Sequence, residues 1–141
     1  MNITIIGAGP IGCYSGHLLA KSGHQISIYE NHSQIGQPIQ CTGILTSEFD
    51  QFGIRVEPFL VNTINKIEVN SLKENISIKQ NDYIVCRKKF DTYLGKMARE
   101  SGAKIFLNHS FIRKEGKELI IKDIVNNTEK RISPEIVIAA D

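Results

Sequence analysis

The pattern of apolar and polar positions predicts a strand, a helix and a second strand at the start of the chain. Residues 3–6 form a β-branched run that ends at Gly7, which is typical of a buried strand. A helix should begin at Pro10, because the fixed φ of proline and its missing N–H cost nothing at the first helical position. Gly23 should end this helix, and residues 25–29 then alternate as a second strand, which completes a parallel β-α-β unit. The apolar residues of the helix keep helical spacing: Ile11, Tyr14, Leu18 and Leu19.

The period of the pattern changes after the second predicted strand. Residues 31–46 contain Gly and Pro without periodicity, and a loop of this length within a compact domain is usually functional. A short helix is predicted around residues 47–52, followed by strands over residues 63–87 with a turn at residues 73–75. Apolar residues then recur with helical spacing over residues 88–101, which predicts a second long helix.

The last third of the chain predicts further strands. A parallel strand is expected at residues 104–107 and a buried strand at residues 136–140. Between them, turn residues divide the sequence into an antiparallel meander with strands at residues 111–114, 118–125 and 128–132. The elements together predict an α/β fold, a Rossmann-like and mostly parallel sheet with an antiparallel β-meander.

Composition and charge exclude several classes of protein. Hydrophobic residues make up 41% of the 141 residues and charged residues 23%, which is typical of a folded chain rather than a disordered one. The net charge of +2 is too small for a nucleic-acid interface, so no nucleic-acid partner is predicted. No apolar run approaches the roughly 20 residues of a membrane-spanning helix. Because the N-terminus is too short and uncharged for a signal peptide, we expect a cytoplasmic protein.

The cysteines and histidines predict neither a disulfide nor a metal site. The three cysteines are odd in number and show no CxxC spacing, and the four histidines show no HxH or HExxH spacing. We therefore expect free thiols, with Cys13 and Cys86 in structural roles.

The turn between the first strand and the helix matches the dinucleotide-binding pattern GxGxxG. Gly7 permits the tight turn, Gly9 lets the backbone approach a pyrophosphate, and Gly12 lets the helix pack closely, with Gly16 extending that smooth surface. Glu30 ends the next strand and should accept hydrogen bonds from the adenosine ribose. The alternative is a plain Gly-rich turn followed by a surface glutamate. The pattern fits NAD and FAD, but the Gly/Pro loop and antiparallel strands that follow favour FAD.

Four segments carry a more specific resemblance: residues 7–12 together with Glu30, residues 35–44 (IGQPIQCTGI), residues 87–91 (RKKFD) and residues 136–141 (IVIAAD). With these segments the chain resembles the geranylgeranyl reductase family of flavoproteins, within the p-hydroxybenzoate hydroxylase-like fold. The resemblance implies that residues 1–141 form an FAD-binding domain, truncated at the family's Ala-Asp-Gly motif, with the C-terminal part of the fold missing.

The resemblance also implies roles for residues of the loop and of the second helix. It places Cys41, Thr42 and Gly43 near the flavin ring, with Cys41 as a candidate catalytic residue, and it gives Arg87 a contact with the cofactor. A free cysteine is most often a small buried hydrophobic residue, which is the alternative for Cys41. The alternative for Arg87 is an exposed ion pair with Asp91, although a guanidinium at a strand–helix junction can also bind phosphate or ribose oxygens in a fork.

The function that the resemblance implies is FAD-dependent reduction of carbon–carbon double bonds in geranylgeranyl chains of prenyl lipids, as in archaeal-type membrane lipids. The expected partners are a prenyl lipid substrate, an electron donor that is a reduced nicotinamide or a ferredoxin, and the membrane surface as a peripheral contact. Two alternatives remain open: an FAD-dependent monooxygenase or halogenase of the same fold, and a catalytically inert nucleotide-binding fragment.

Overall fold

Local sequence signals set most element boundaries in the computed structural model, which describes all residues from Met1 to Asp141. The elements are β1 (Asn2–Ile6), α1 (Pro10–Lys21), β2 (Gln25–Tyr29), β3 (Ile44–Leu45), a 3-10 helix (Ser47–Phe52), β4 (Leu60–Asn70), β5 (Asn75–Val85), α2 (Arg87–Glu100), β6 (Lys104–Phe106), β7 (His109–Glu115), β8 (Glu118–Asp123), β9 (Thr128–Ile132) and β10 (Ile136–Ala139). Neither α-helix is long and apolar enough to cross a membrane.

The chain divides into two compact units. One consists of residues 1–38 and 91–141, and the other of residues 39–90. The prediction that residues 1–141 act together as one FAD-binding domain stays a prediction, and the two units are described separately.

A parallel sheet in the order β10-β1-β2-β6 forms the centre of the first unit. Strand β1 lies between β10 and β2, and the side chains of Ile5 and Ile28 are completely buried. A parallel strand covered on both faces needs such an uninterrupted β-branched sequence. The predicted parallel β-α-β unit is therefore confirmed.

Helix α1 packs on the sheet through its small residues. A Cβ atom added at Gly16 would lie 2.6 Å from Cδ1 of Ile28, so a larger residue there would require the Ile28 side chain to move. Gly12, Cys13 and Gly16 are its buried residues. The close packing predicted for Gly12 and Gly16 is therefore present, whereas two apolar residues of the helix face solvent: Ile11 is 70% exposed and Leu18 46% exposed.

Strand β10 corrects one expectation. A buried strand was predicted at residues 136–140, but β10, which pairs with β1 in parallel, is not buried, because Ile136 and Val137 are about two-fifths exposed. Strand β10 lies at the edge of the sheet and has β1 as its only neighbour. An apolar run alone does not distinguish an edge strand from a central one.

The predicted meander is present as the antiparallel sheet β7-β8-β9 of the first unit. Leu119 and Ile121 of its central strand are buried in one cluster with Ile6 and Tyr29 of the parallel sheet. This cluster joins the meander to the carboxyl ends of β1 and β2.

The second unit contains a long antiparallel hairpin, β4–β5, with the short strand β3 paired to β5. Four exposed apolar side chains lie opposite one another near its tip: Ile67 with Ile78, and Val69 with Ile76. At the other end an aromatic cluster packs edge to face, with ring centroids of Phe59 and Phe90 4.9 Å apart. The predicted short helix before the hairpin is a 3-10 helix.

The turn between β8 and β9 depends on Asp123. Its Oδ1 accepts hydrogen bonds from the backbone N–H groups of Val125 (3.0 Å) and Asn126 (3.1 Å), and its Oδ2 accepts one from the Asn126 side chain (2.7 Å). The Asn126 bonds are the main reason that the pKa of Asp123 is lowered.

We expect Asp123→Ala to destabilise the first unit, because the turn loses its acceptors. The carboxylate's contribution is present above the unfolded-state pKa of about 4 and is lost as the pH falls through the lower folded-state pKa. Urea unfolding of wild type and Asp123→Ala should therefore differ at neutral pH and converge in strong acid. Asp123→Asn, which keeps a side-chain acceptor, should lie between them; a difference that persists unchanged in strong acid would contradict the assignment.

Candidate functional site

Two of the motif glycines are required by the fold of the loop itself. Gly7 has φ +99°, and a Cβ atom there would lie 2.5 Å from the carbonyl oxygen of Ala140. A Cβ atom at Gly12 would lie 2.0 Å from the carbonyl oxygen of Gly7. Neither backbone atom can move aside as a flexible side chain could, so both positions exclude any larger residue.

Gly9 differs from these two glycines, because nothing in the protein restricts it. Its φ of −69° suits any residue, and apart from its two chain neighbours no residue has an atom within 4 Å of the position that a Cβ would take. The first helical hydrogen bond of α1 runs from the N–H of Cys13 to the carbonyl of Gly9 (2.9 Å). The N–H groups of Ile11 and Gly12 lie ahead of it and have no partner within the helix. Open space, helical N–H donors and the positive end of the helix dipole together fit a bound pyrophosphate.

Glu30 is tied to this loop directly. Its Oε2 accepts a hydrogen bond from the N–H of Ala8 (2.8 Å), and its Oε1 accepts one from the N–H of His32 (2.9 Å). The ring Nδ1 of His32 lies 2.6 Å from the same Oε1. The structure thus brings the predicted residues Gly7, Gly9, Gly12 and Glu30 together in the first unit.

Cys13 lies beneath the loop and is completely buried. Its Sγ donates a hydrogen bond to the carbonyl of Ala8 (3.2 Å), and burial raises the pKa of the thiol to about 12. A thiol that stays protonated in the interior supports the structural role expected for Cys13. It also holds the Ala8 carbonyl inward while Glu30 holds the N–H of the same residue.

The other predicted site residues form a second group, within residues 39–90. Gly43 has φ +79°, and a Cβ atom there would lie 2.4 Å from the carbonyl oxygen of Val85 and 3.3 Å from Cγ of Arg87. Cys41 is exposed, so the alternative of a buried hydrophobic residue does not describe it. A hydrogen bond to the Gly43 backbone and, after it, the side chains of Arg87 and Thr42 lower the pKa of the Cys41 thiol. Cys41, Thr42, Gly43 and Arg87 are therefore neighbours.

Arg87 begins α2, as its place at the end of a strand predicted. Its Cζ lies 6.0 Å from the centroid of the Phe90 ring, a distance suited to a cation–π contact. A contact of Arg87 with the cofactor, and of the 41–43 loop with the flavin, stay predictions.

His32 is the site residue that sequence reasoning missed. The histidines were compared only with metal-binding spacings, in which a lone histidine in a loop carries no signal. His32 lies two residues after Glu30, the predicted ribose-binding carboxylate. This spacing was a usable local signal, because an acidic side chain in a turn readily accepts a hydrogen bond from the residue two positions later.

Comparisons with known proteins identify similar domains and relatives of the chain. A family model described as an NAD(P)-binding Rossmann-like domain matches residues 5–64. The chain is 31% identical to a digeranylgeranylglycerophospholipid reductase of Methanocaldococcus jannaschii and 28% identical to one of Methanosphaera stadtmanae. Each match covers 99% of this chain but 37% and 39% of the relative, so the chain spans about two-fifths of the length of these curated relatives.

Solved structures give the same result for the fold. A geranylgeranyl bacteriochlorophyll reductase-like protein of Thermoplasma acidophilum matches 99% of this chain and 38% of its own length, with a TM-score of 0.86 and 24% identity. A myxobacterial FAD-dependent chondrochloren halogenase matches 99% of this chain and 37% of its own length, with a TM-score of 0.77 and 16% identity. The fold is the Rossmann-like α/β fold that the chain shares with these solved structures, as predicted. The resemblance to geranylgeranyl reductases is confirmed by the homologues that carry this name.

Substitution of Gly9 tests the phosphate site separately from the fold. Gly9→Ala should leave the melting temperature almost unchanged, because its methyl group meets no protein atom, yet it should weaken binding of FAD or ADP at least about tenfold by filling the space for the phosphates. Gly12→Ala should instead prevent normal folding. Thermal melting and ligand titration on the same preparations measure both effects. Unchanged affinity in Gly9→Ala would remove the loop as the phosphate site.

The lowered pKa of Cys41 predicts its reactivity. The thiolate is the reactive form, so Cys41 should be alkylated by iodoacetamide at lower pH than an ordinary free thiol and faster than Cys13. Arg87→Met keeps the Cγ packing but removes the guanidinium, and it should shift the Cys41 profile to higher pH. Arg55→Met, at an exposed position in the same unit, is the control. Mass spectrometry of the labelled peptides follows each site, and an identical profile in Arg87→Met would contradict the contact.

Proposed function

We propose that the chain is the cofactor-binding part of an FAD-dependent oxidoreductase that reduces carbon–carbon double bonds in the geranylgeranyl chains of prenyl lipids. The observation that carries this proposal is the open space at Gly9, bordered by helical N–H donors and by Glu30. It occurs in a chain that is 31% identical, over 99% of its length, to a digeranylgeranylglycerophospholipid reductase.

The residues of the first unit would hold the adenine dinucleotide. The N–H groups of Ile11 and Gly12 donate hydrogen bonds to the pyrophosphate, and the helix dipole favours its negative charge. Glu30 accepts a hydrogen bond from the ribose, and its charge disfavours a 2′-phosphate. FAD bound there and reduced by the electron donor would supply the hydride that reduction of a carbon–carbon double bond requires.

The residues of the second unit would act close to the flavin ring. In this proposal Arg87 binds the cofactor, and Cys41 Sγ holds a proton beside the double bond. A lowered pKa makes the Cys41 thiol a stronger acid, which suits a group that gives its proton to the carbon next to the one that receives hydride. Thr42 and Gly43 set the position of this thiol.

The proposed partners follow from the names of the relatives. A prenyl lipid would be the substrate, and a reduced nicotinamide or a ferredoxin would supply the electrons. Because long prenyl chains reside in membranes, a cytoplasmic protein that acts on them would meet its substrate at the membrane surface. Peripheral contact with the bilayer is therefore part of the proposal.

Two other functions have support of their own. Halogenases and brominases share the fold, with TM-scores of 0.77 and 0.80, but identities of 16% and 20% support a common fold and no common reaction. An inert nucleotide-binding chain is the third candidate, because the nucleotide contacts of the first unit require no catalytic group. We prefer the reductase, because its identity is higher and extends over nearly the whole chain.

A turnover experiment with Cys41→Ser tests the proposed function. FAD-loaded protein, with dithionite as the chemical reductant, should add hydrogen to a geranylgeranyl lipid, which mass spectrometry detects as a gain of two mass units per double bond. Cys41→Ser should keep its FAD, since the phosphate and ribose contacts are elsewhere, while turnover per bound flavin drops about 10²–10⁴-fold.

Cys86→Ser is the matched control for this experiment and should keep its turnover. Normal turnover of Cys41→Ser would remove Cys41 from the catalytic residues. Oxygen-dependent halogenation or hydroxylation of an aromatic compound would support the second function, and bound FAD without any turnover would support the third.

A further inference from the structure

The hydrogen bonds of Glu30 restrict what its carboxylate can still accept. A carboxylate has about four lone-pair positions, two on each oxygen. On Oε1 the backbone N–H of His32 occupies one position at 2.9 Å, and His32 Nδ1 occupies the other at 2.6 Å. On Oε2 the N–H of Ala8 occupies one position at 2.8 Å. One lone pair remains, and it is on Oε2.

The His32 ring is held in this place by its backbone. The carbonyl of His32 accepts a hydrogen bond from the N–H of Asn108 (3.0 Å), and the carbonyl of Glu30 accepts one from the N–H of His109 (2.8 Å). The segment from Glu30 to His32 is therefore fixed against the start of β7. A carboxylate has no proton to give at the 2.6 Å contact, so Nδ1 carries the proton and donates it to Oε1.

The two side chains of the pair differ in exposure. The His32 side chain is 43% exposed, whereas the Glu30 side chain is only 11% exposed. A ligand that binds at Glu30 thus shares the carboxylate with an imidazole ring that is itself open to solvent. The ring takes a position that a ribose hydroxyl would otherwise use.

We propose that His32 is a specificity-determining residue of the ribose subsite: its Nδ1–H fills the remaining position on Glu30 Oε1, so that the carboxylate binds one of the two ribose hydroxyls and not both. This inference rests on the proposed function, because it requires an adenosine ribose at Glu30. It adds that the second hydroxyl is not recognised through Glu30 in this chain, and that His32 lowers the affinity for the ribose.

Three nucleotide probes and three variants test this inference in the 141-residue chain. The probes are ADP, 2′-deoxy-ADP and 3′-deoxy-ADP, and binding is followed by the amide NMR shifts of the chain, which do not depend on turnover. In wild type, loss of one hydroxyl should weaken binding about tenfold, and loss of the other should have no effect. In His32→Ala, ADP should bind about tenfold more tightly than to wild type, and each deoxy probe should bind more weakly than ADP.

The other variants separate the ring contact from a general structural effect. His32→Asn keeps an N–H donor near the position of Nδ1 and should behave like wild type. His24→Ala removes a histidine at the end of α1 and should also leave the probe pattern unchanged. A purely structural role of His32 would instead weaken all three probes together in His32→Ala.

The outcomes distinguish this inference from the proposed function. If ADP shifts the amides of Ala8, Ile11 and Gly12 but His32→Ala binds no more tightly, or both hydroxyls already matter in wild type, only the role of His32 is overturned. If ADP causes no shift at these amides in any variant, the proposed dinucleotide site is overturned, and the role of His32 with it.

Discussion

The contact between Gly12 and the carbonyl of Gly7 is the constraint on which the candidate site depends. A side chain at Gly12 would collide with backbone, so the helix and the turn can come together only without one. That close packing fixes the start of α1, whose first N–H groups have no partner within the helix, beside Gly9. The same approach brings Ala8 within reach of Glu30. Phosphate donors and ribose acceptor are thus positioned by a single steric requirement at the end of β1.

Helix and strand boundaries that are marked by proline or glycine could be predicted from the sequence. Packing that depends on distant neighbours could not. Pro10 and Gly23 delimit α1 because their backbone restrictions act within the residue itself. The close approach of α1 to the sheet could be predicted, because Gly12 and Gly16 lack side chains and their spacing is visible in the sequence. The exposure of Ile11 and Leu18 could not, because it depends on which neighbours cover the helix. The exposure of Ile136 was missed because a sequence does not state which strand lies at the edge.

Some features of the candidate site could likewise be predicted from the sequence, and others could not. The roles of the glycines follow from backbone geometry, so the spacing of the motif was enough to predict them. The three hydrogen bonds on Glu30 and the bond from Cys13 to Ala8 were not predictable, because each depends on where a side chain ends after the turn has folded. The Cys41 loop came from resemblance alone, and what the structure adds is the contact of Cys41 with Arg87.

The place of β10 beside β1 has a consequence for how the chain folds. Ile3 pairs with Ile136, so the two partners are 133 positions apart in the sequence, whereas β1 and β2 are joined by a single helix. Pairings across such separations lose much chain entropy before they gain contacts, and they slow folding. During synthesis β1 and β2 can associate early, while one edge of β1 has no partner until residues 136–139 have been synthesised. Through that interval the free edge of β1 is open to mispairing with other strands.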